Sequence, residues 1–313
     1  MPPLTRLYSR AARQTVGLTP FSEAKVTALK RQTLDWQGQN TVESPDNTIF
    51  NLNKTFGTLN AQDGDDVLSV FARESTVKVL GGNGNDTLNA TVKNAFYTAD
   101  TQSGDNNSTV KAQDSTVFLT ESGQKNTLKV TLKHSALNVQ DNAKTQTMAL
   151  QASNSSVEIT SSGEQASVQG RFKNSFGRWQ GDNGTHALDA QLIDSQLEVM
   201  LGSASDSVAI SGRRSSADID SGGGDDTIKF SGKRVYGKLQ AGDGDDTLWV
   251  AAQNSTLELW GGAGSDTLML EGRAEDWTIS AGPEQDVHYR NASTQTLVIL
   301  KDAPERIRYT QVS

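Results

Sequence analysis

Gly81-Gly82-Asn83-Gly84-Asn85-Asp86-Thr87-Leu88 decides the reading of this chain, because close copies of it return every 20 residues. The acid at its sixth place recurs as Asp66, Asp86, Asp206, Asp226, Asp246 and Asp266. The glycine two residues earlier recurs as Gly64, Gly84, Gly104, Gly184, Gly224, Gly244 and Gly264. Self-similarity at a fixed period of this length belongs to solenoids, in which a coil buries its apolar face only by stacking on its neighbours.

With Asp86 at position 6, coils start at residue 41 and every 20 residues thereafter. Position 8 is apolar in most of them (Leu68, Leu88, Leu128, Met148, Val168, Leu188, Val208, Ile228, Leu248, Leu268), and position 10 follows with Val70, Ala90, Val110, Val130 and Phe230. Positions 17 and 19 form a second apolar pair, with Val79, Leu119, Val139, Trp179, Ile219, Leu239 and Ile279 at position 19. Gly57, Gly177 and Gly237 are exceptions at position 17. Apolar residues two apart are a strand period. Each coil therefore holds two short strands, near positions 7–12 and 16–20, and stacked coils repeat at ~4.8 Å. The expected fold is an all-β, right-handed parallel β-solenoid, or β-roll, of about 12 coils of 20 residues spanning 41–280. That makes a rod roughly 55–60 Å long.

The ends need covers, because an open solenoid end exposes unpaired strand edges. Thr19-Pro20 followed by Ala24, Val26, Leu29 and Leu34 predicts a helical cap within an N-terminal segment, residues 1–40. Leu297-Val298-Ile299-Leu300 and Ile307-Arg308-Tyr309 predict closing strands in a C-terminal β cap, residues 281–313.

Composition narrows the class. Only 35% of the 313 residues are hydrophobic, low for one compact core but sufficient for a solenoid. A formal net charge of −8 argues against nucleic acid as a partner. No run of 18 apolar residues predicts a membrane span. Met1 to Gly17 carries Arg6, Arg10 and Arg13 without a following apolar stretch, so no secretory signal peptide is expected there. The chain has no Cys, which removes disulfide and thiol chemistry.

The acid column points to a hard cation. Ca²⁺ takes six to eight oxygen ligands. Glycines let a turn direct its carbonyls inward, and the position-6 Asp adds a carboxylate from each of two neighbouring coils. The candidate ligand turns contain Gly64 and Asp66; Gly81, Gly82, Asn83, Gly84 and Asp86; Gly222, Gly224 and Asp226; Gly242, Asp243, Gly244 and Asp246; and Gly262, Gly264 and Asp266. Asp206 is a weaker candidate because Ala204 replaces the glycine, and a site between Asp266 and Asp286 is weak because Pro283 and Glu284 spoil the second turn. In the middle, position 6 becomes Asn106, Asn126, Gln146, Ala166 and His186, and Lys125 and Lys144 enter the same turns as competing cations. Two calcium clusters around a metal-free centre are expected.

Three further columns read as structural. Ser75, Ser115, Ser135, Ser155, Ser175, Ser195, Ser215 and Ser255 occupy the second turn, where hydroxyls bond turn backbone. Beside them runs a basic edge: Arg73, Lys93, Lys133, Lys173, Arg213, Lys233 and Arg273. Position 18 alternates in sign through Glu158, Arg178, Glu198, Asp218, Lys238 and Glu258, a cross-strand charge ladder apart from the Glu198–Asp218 step.

The Gly-Gly-x-Gly-x-Asp-x-hydrophobic-x pattern, met throughout by Gly81 to Asn89 and Gly261 to Met269, resembles the RTX family of haemolysin-type calcium-binding repeats. Trp277-Thr278-Ile279, Val287-His288-Tyr289 and Glu305-Arg306-Ile307-Arg308-Tyr309 resemble the segment that often closes such arrays. One calcium turn per 20-residue coil departs from the usual two-edged roll and is more similar to single-edge solenoids of large bacterial adhesins. The resemblance implies a bacterial, secreted, extracellular protein exported by a type I system through an uncleaved C-terminal signal. It also implies Ca²⁺ as the cofactor that stabilises the fold.

The expected function is a non-enzymatic calcium-binding solenoid, acting as an adhesin, matrix or effector-type binding module. Its partners are calcium ions and, through the basic edge, an acidic polysaccharide or cell-surface glycan; a monomer or weak dimer is expected. The alternative is a carbohydrate-active β-helix enzyme using Glu198 and Asp218, with Trp249 and Trp260 for sugar stacking. Such an enzyme needs loop insertions that break the repeat, and the register is expected to run unbroken from residue 61 to 280.

Overall fold

The computed structural model describes residues 49–302 and 304–310; of Glu284, and of the strand segments that precede Ile49, it describes the backbone alone. The chain is an all-β parallel β-solenoid of about 11 turns. It divides into two compact units, Met1–Ile159 and Thr160–Ser313.

In the first unit, the strands that follow the Gly/Asp turn form one parallel sheet, among them Val67–Arg73, Thr87–Lys93, Asn107–Gln113 and Lys125–Lys133. Their register is the sequence period: Leu88 pairs with Leu68 and Ser108, and Ser108 with Leu128. Thr76–Leu80, Phe96–Thr101, Thr116–Glu121 and Ala136–Asp141 form the second sheet in the same step, with Val77, Tyr97, Val117 and Leu137 in one row. The second unit repeats the plan with Thr185–Ile193, Ser207–Arg213, Thr227–Lys233 and Thr247–Gln253 against Gln196–Met200, Ser216–Asp220, Tyr236–Asp243 and Thr256–Ala263.

Burial alternates along each strand, as the period of two requires. Leu68, Val70, Val77 and Val79 are buried in the first unit, and Ile228, Phe230, Ile219 and Leu239 in the second. Each such side chain contributes about 1.5–3 kcal/mol on burial. The position-17 glycines have a packing cause. A Cβ on Gly57 would lie 2.7 Å from Leu52 and 3.1 Å from the Phe50 ring, one on Gly177 2.9 Å from the Phe172 ring, and one on Gly237 3.1 Å from the Phe230 ring. A ring from the opposite sheet fills the space that an apolar side chain takes in other coils.

The second turn is held as its serines predict. Ser115 Oγ donates to Gln113 O at 2.7 Å and accepts from the Ala95 N–H at 3.1 Å, and Ser195 and Ser215 repeat the bond within the second unit. The residue before the serine is left-handed: Glu74, Asp114 and His134 have φ of 50°, 52° and 50°, and Asn94, before Ala95 in the same turn, has 50°.

Two expectations about the ends change. The helix predicted from Thr19 to Leu34 falls mostly outside the described residues, and where backbone is described, at Ala24–Lys25 and Gln32–Trp36, it is strand. Gln32–Trp36 pairs in parallel with Thr48–Asn53, so the apolar residues Leu34 and Trp36 follow the strand period. At the other end the register breaks after Thr267–Glu271. Residues 272–295 leave the stack through the antiparallel strands Trp277–Ala281 and Val287–Asn291. Thr296–Asp302 then takes the vacant place in the second sheet, with Leu297 to Leu300 paired to Thr256 to Leu259. Arg306–Thr310 closes the first sheet against Thr267–Glu271. The closing strands thus form as expected. Ile279, expected in the core, is 56% exposed, and Leu300 holds its position against Leu259. The expected unbroken register to residue 280 and the twelfth coil are lost to this excursion.

Candidate metal centre

The glycine turns stack backbone on backbone. In the first unit the Gly64 N–H donates to Asn83 O at 2.7 Å and the Gly84 N–H to Ser103 O at 3.1 Å. In the second, Gly224 donates to Asp243 O and Gly244 to Ala263 O, both at 2.7 Å. Gly84 and Gly244 have φ of 142°, and a Cβ on them would lie 2.1 Å from Gly64 O and 2.2 Å from Gly224 O. Conformation and contact together exclude a side chain.

Inside these turns the position-6 acids are buried: Asp66, Asp86, Asp206, Asp226, Asp246 and Asp266 are each at most 4% exposed. They form a ladder. Asp86 Oδ1 accepts the Asp66 N–H at 3.0 Å, Asp226 Oδ1 the Asp206 N–H at 2.7 Å, Asp246 Oδ1 the Asp226 N–H at 2.7 Å, and Asp266 Oδ1 the Asp246 N–H at 3.0 Å. Asp206, expected to be weaker, sits on the same ladder and accepts the His186 N–H at 2.6 Å.

In four of these carboxylates one oxygen is therefore used and one is left over. Oδ2 of Asp86, Asp206, Asp226 and Asp246 is buried with no hydrogen-bond partner among the described residues. Leaving buried carboxylate oxygens unpaired is costly. Burial first, with neighbouring acids, pushes Asp86 up to about 6, Asp226 up to about 7 and Asp246 up to about 6. Asp266 is raised for the same reasons, with Glu305 foremost among the acids that raise it. A hard cation matches both features: it supplies charge to the carboxylates and a ligand bond to the orphaned oxygens. The residues present fit Ca²⁺.

Asn83 and Asp243, expected among the ligands, have exposed side chains on the rim. Asn83 there bonds Asp63 at 2.8 Å and Ser103 at 2.7 Å. Gly81, Gly82, Gly222, Gly242, Gly262 and Gly264 lie in the stacked turns, where a Cβ on Gly82 would meet Gln62 O at 1.3 Å and one on Gly262 Gly242 O at 1.9 Å.

Two features escaped the sequence reading. The last rung is closed by Glu305, whose Oε2 accepts the Asp266 N–H at 2.6 Å. Asp286, the residue in phase, instead pairs with Lys301 at 2.8 Å. A second ladder runs through position 5 on the outside: the Asn85 N–H donates to Asp65 Oδ1 at 2.7 Å, and the Asp245 N–H to Asp225 Oδ1 at 2.9 Å. The in-phase Asp/Asn residues at position 5 were its visible signal.

Of the central turns, those of Asn106 and Asn126 keep the rung and change its chemistry, whereas the buried Gln146 amide has no hydrogen-bond partner among the described residues and Ala166 has no side-chain oxygen. Asn106 Oδ1 accepts the Asp86 N–H at 2.9 Å, and Asn126 Oδ1 the Asn106 N–H at 3.1 Å. The amide nitrogen of Asn126 donates to Ser122 O at 2.8 Å, so no oxygen is orphaned there. Lys125 and Lys144, expected inside these turns as competing cations, have exposed side chains. In the second unit His186 is fully buried, edge-on to Trp179 at 5.5 Å and 3.4 Å from Asp206 Oδ1.

A parallel β-roll with stacked Gly/Asp turns and buried, half-satisfied carboxylates defines a calcium-binding solenoid. The family model of the RTX calcium-binding nonapeptide repeat (4 copies) matches residues 78–93, 238–257 and 258–272. The chain thus carries RTX-type repeats, which implies Ca²⁺ as their ligand. No curated protein and no solved structure matches this chain.

Proposed function

We propose that this is an extracellular, non-enzymatic binding module whose β-roll is stabilised by calcium held between consecutive turns, by Asp66 with Asp86 in the first unit and by Asp206, Asp226, Asp246 and Asp266 in the second. The observation that carries the reading is the row of buried carboxylates at Asp86, Asp206, Asp226 and Asp246, each with one oxygen bonded to the preceding coil and the other without a hydrogen-bond partner among the described residues. Such a row is destabilising until a cation is present, which suits a protein whose fold is stabilised on meeting external calcium.

The partner of the module is an acidic polysaccharide or glycan, met along the second-turn edge. In the second unit Lys173, Arg213, Arg214, Lys233 and Arg234 all stand exposed there, one of them, Arg214, paired with Asp194. The enzyme reading gains no support from Glu198, because Arg178 holds it in two hydrogen bonds of 2.9 and 2.6 Å. Asp218 faces Lys238 at 3.9 Å, and Lys238 also lies 5.4 Å over the Trp260 ring. These contacts are the charge ladder predicted for position 18.

Calcium titration of the chelated protein, followed by far-UV circular dichroism, tests the extracellular reading. A folding midpoint of about 10⁻⁴–10⁻³ M, the range of extracellular calcium modules, supports it. A midpoint below about 10⁻⁶ M, in the range of intracellular sensors and buffers, contradicts it.

A further inference from the structure

In the stacked turns, positions 1 and 6 of a coil face each other. A Cβ on Gly81 would lie 2.6 Å from Asp86 Oδ2, and one on Gly261 2.6 Å from Asp266 Oδ2. Glycine at position 1 leaves that space open in these two coils, while Ala61, Leu201, Ser221 and Ala241 stand at position 1 in the coils of Asp66, Asp206, Asp226 and Asp246. Two coils of the first unit reverse this arrangement. Position 1 becomes Glu121 and Asp141, and position 6 becomes Asn126 and Gln146. The carboxylate has crossed the turn rather than disappeared.

The relocated acids are as buried as the ladder acids. Glu121 is fully buried and Asp141 is 1% exposed, and the two are strand partners on neighbouring rungs. On the other side, Thr101 Oγ1 donates to Glu121 Oε2 at 2.7 Å. Glu121 Oε1 has no hydrogen-bond partner among the described residues. Neither has the Tyr97 hydroxyl, the Ser108 hydroxyl or the amide of Gln146, all of them buried. The Ser108 hydroxyl lies near enough to Glu121 to favour its charged form, though outside hydrogen-bond geometry. The Tyr97 hydroxyl is pushed up first by its burial and then by the charge of Glu121.

We propose that Glu121 and Asp141, with the Tyr97 and Ser108 hydroxyls, form a second kind of divalent-cation site, set on the inner side of the turn in the centre of the first unit. Two carboxylates and neutral oxygens are the donor set of a hard cation such as Ca²⁺. Without one, two buried acids face each other across a single rung. Burial first, with the charges of Asp141 and Asp100, raises Glu121 to about 7. A cation relieves this repulsion and gives the orphaned oxygens a partner. The centre, metal-free at position 6, then binds metal at position 1.

The site rests on residues separate from the Asp ladder, so the two readings can fail independently. The experiment is calorimetric titration of the chelated full-length chain with Ca²⁺, for wild type, Glu121→Gln, Tyr97→Phe and Asp226→Asn. The proposal expects Glu121→Gln to bind about one ion fewer per chain and Tyr97→Phe to keep the count with one class of site weakened about tenfold. Asp226→Asn should lose ions without touching that class. An unchanged ion count in Glu121→Gln, with equal or higher stability in chelator, overturns the proposal and leaves Glu121 as a buried acid holding its own proton or a water. If Glu121→Gln does not fold, Tyr97→Phe decides, since it deletes only a hydroxyl: an unchanged isotherm overturns the site. Loss of ions in Glu121→Gln but not in Asp226→Asn would support this site and contradict the ladder. No binding by wild type would overturn both.

Discussion

At position 6, the coils around Asp86 and Asp246 differ from the coils around Asn106 and Asn126 by a single functional group. The rung is common to both: a side-chain oxygen accepts the backbone N–H of the preceding coil, at 3.0 Å from Asp86 and 3.1 Å from Asn126. What remains after that bond differs. Asn126 has an NH₂ that finds Ser122 O, whereas Asp86 and Asp246 have a second buried oxygen with nothing to accept from. A neutral oxygen at position 6 is therefore enough for the rung, Ala166 and His186 pair in register without any oxygen there, and the charge on an Asp is an additional, destabilising choice that a bound cation reverses. The same architecture separates a self-sufficient scaffold from a metal-dependent one by exchanging O⁻ for NH₂.

Exchanging these groups is the strongest way to break that comparison. Asp246→Asn should lose about 2–3 kcal/mol of calcium-dependent stabilisation, the effect of a site saturated near a hundredfold above its Kd. In chelator the same variant should equal or exceed wild type, because the buried charge is gone. Asn126→Asp should do the opposite, costing about 1–3 kcal/mol in chelator by orphaning an oxygen. Thermal melts with and without calcium read both, and equal shifts in the two conditions would contradict the account.

The next effect is on pH. The folded, metal-free protein holds Asp86 near 6, Asp226 near 7 and Asp246 near 6, above the ordinary 3.8 of the unfolded chain. Between these values the folded state binds more protons than the unfolded one, so stability falls as pH rises from about 4 to about 7. Urea midpoints measured in chelator should decline across this window, and saturating calcium should flatten or reverse the slope. A midpoint that rises with pH in chelator would mean that the carboxylates are satisfied without metal.

Smaller effects sharpen the picture away from the acids. Gly177→Ala should cost about 1–3 kcal/mol by overpacking against Phe172, equally with and without calcium. A calcium-dependent cost would show that core packing and turns are coupled. Glu305→Ala should cost about 1 kcal/mol by stranding the Asp266 N–H, and a melt unchanged in calcium would remove Glu305 from the ladder.

Much of this was legible because a stacked coil repeats its contacts. The Asp and Gly columns, the alternating apolar positions and the Ser ladder each became a physical row at the spacing of the sequence. What was not legible lies where the contact breaks phase. Glu305 stands 39 residues from Asp266 because the chain first makes the excursion from 272 to 295. Gly177 looked like a gap in an apolar column, and its explanation, the Phe172 ring, comes from the opposite sheet. Glu121 and Asp141 stand at position 1, outside the acid column, so their burial beside the neutral Asn126 and Gln146 shows only in the stacked turns.

Calcium titration calorimetry of the wild-type chain, started in chelator and paired with far-UV circular dichroism, tests the central claim most directly. The account predicts saturable binding of several ions per chain, accompanied by a gain of strand signal. A chelated protein that already has its full strand signal and binds calcium without heat or saturation would show that the buried carboxylates need no cation.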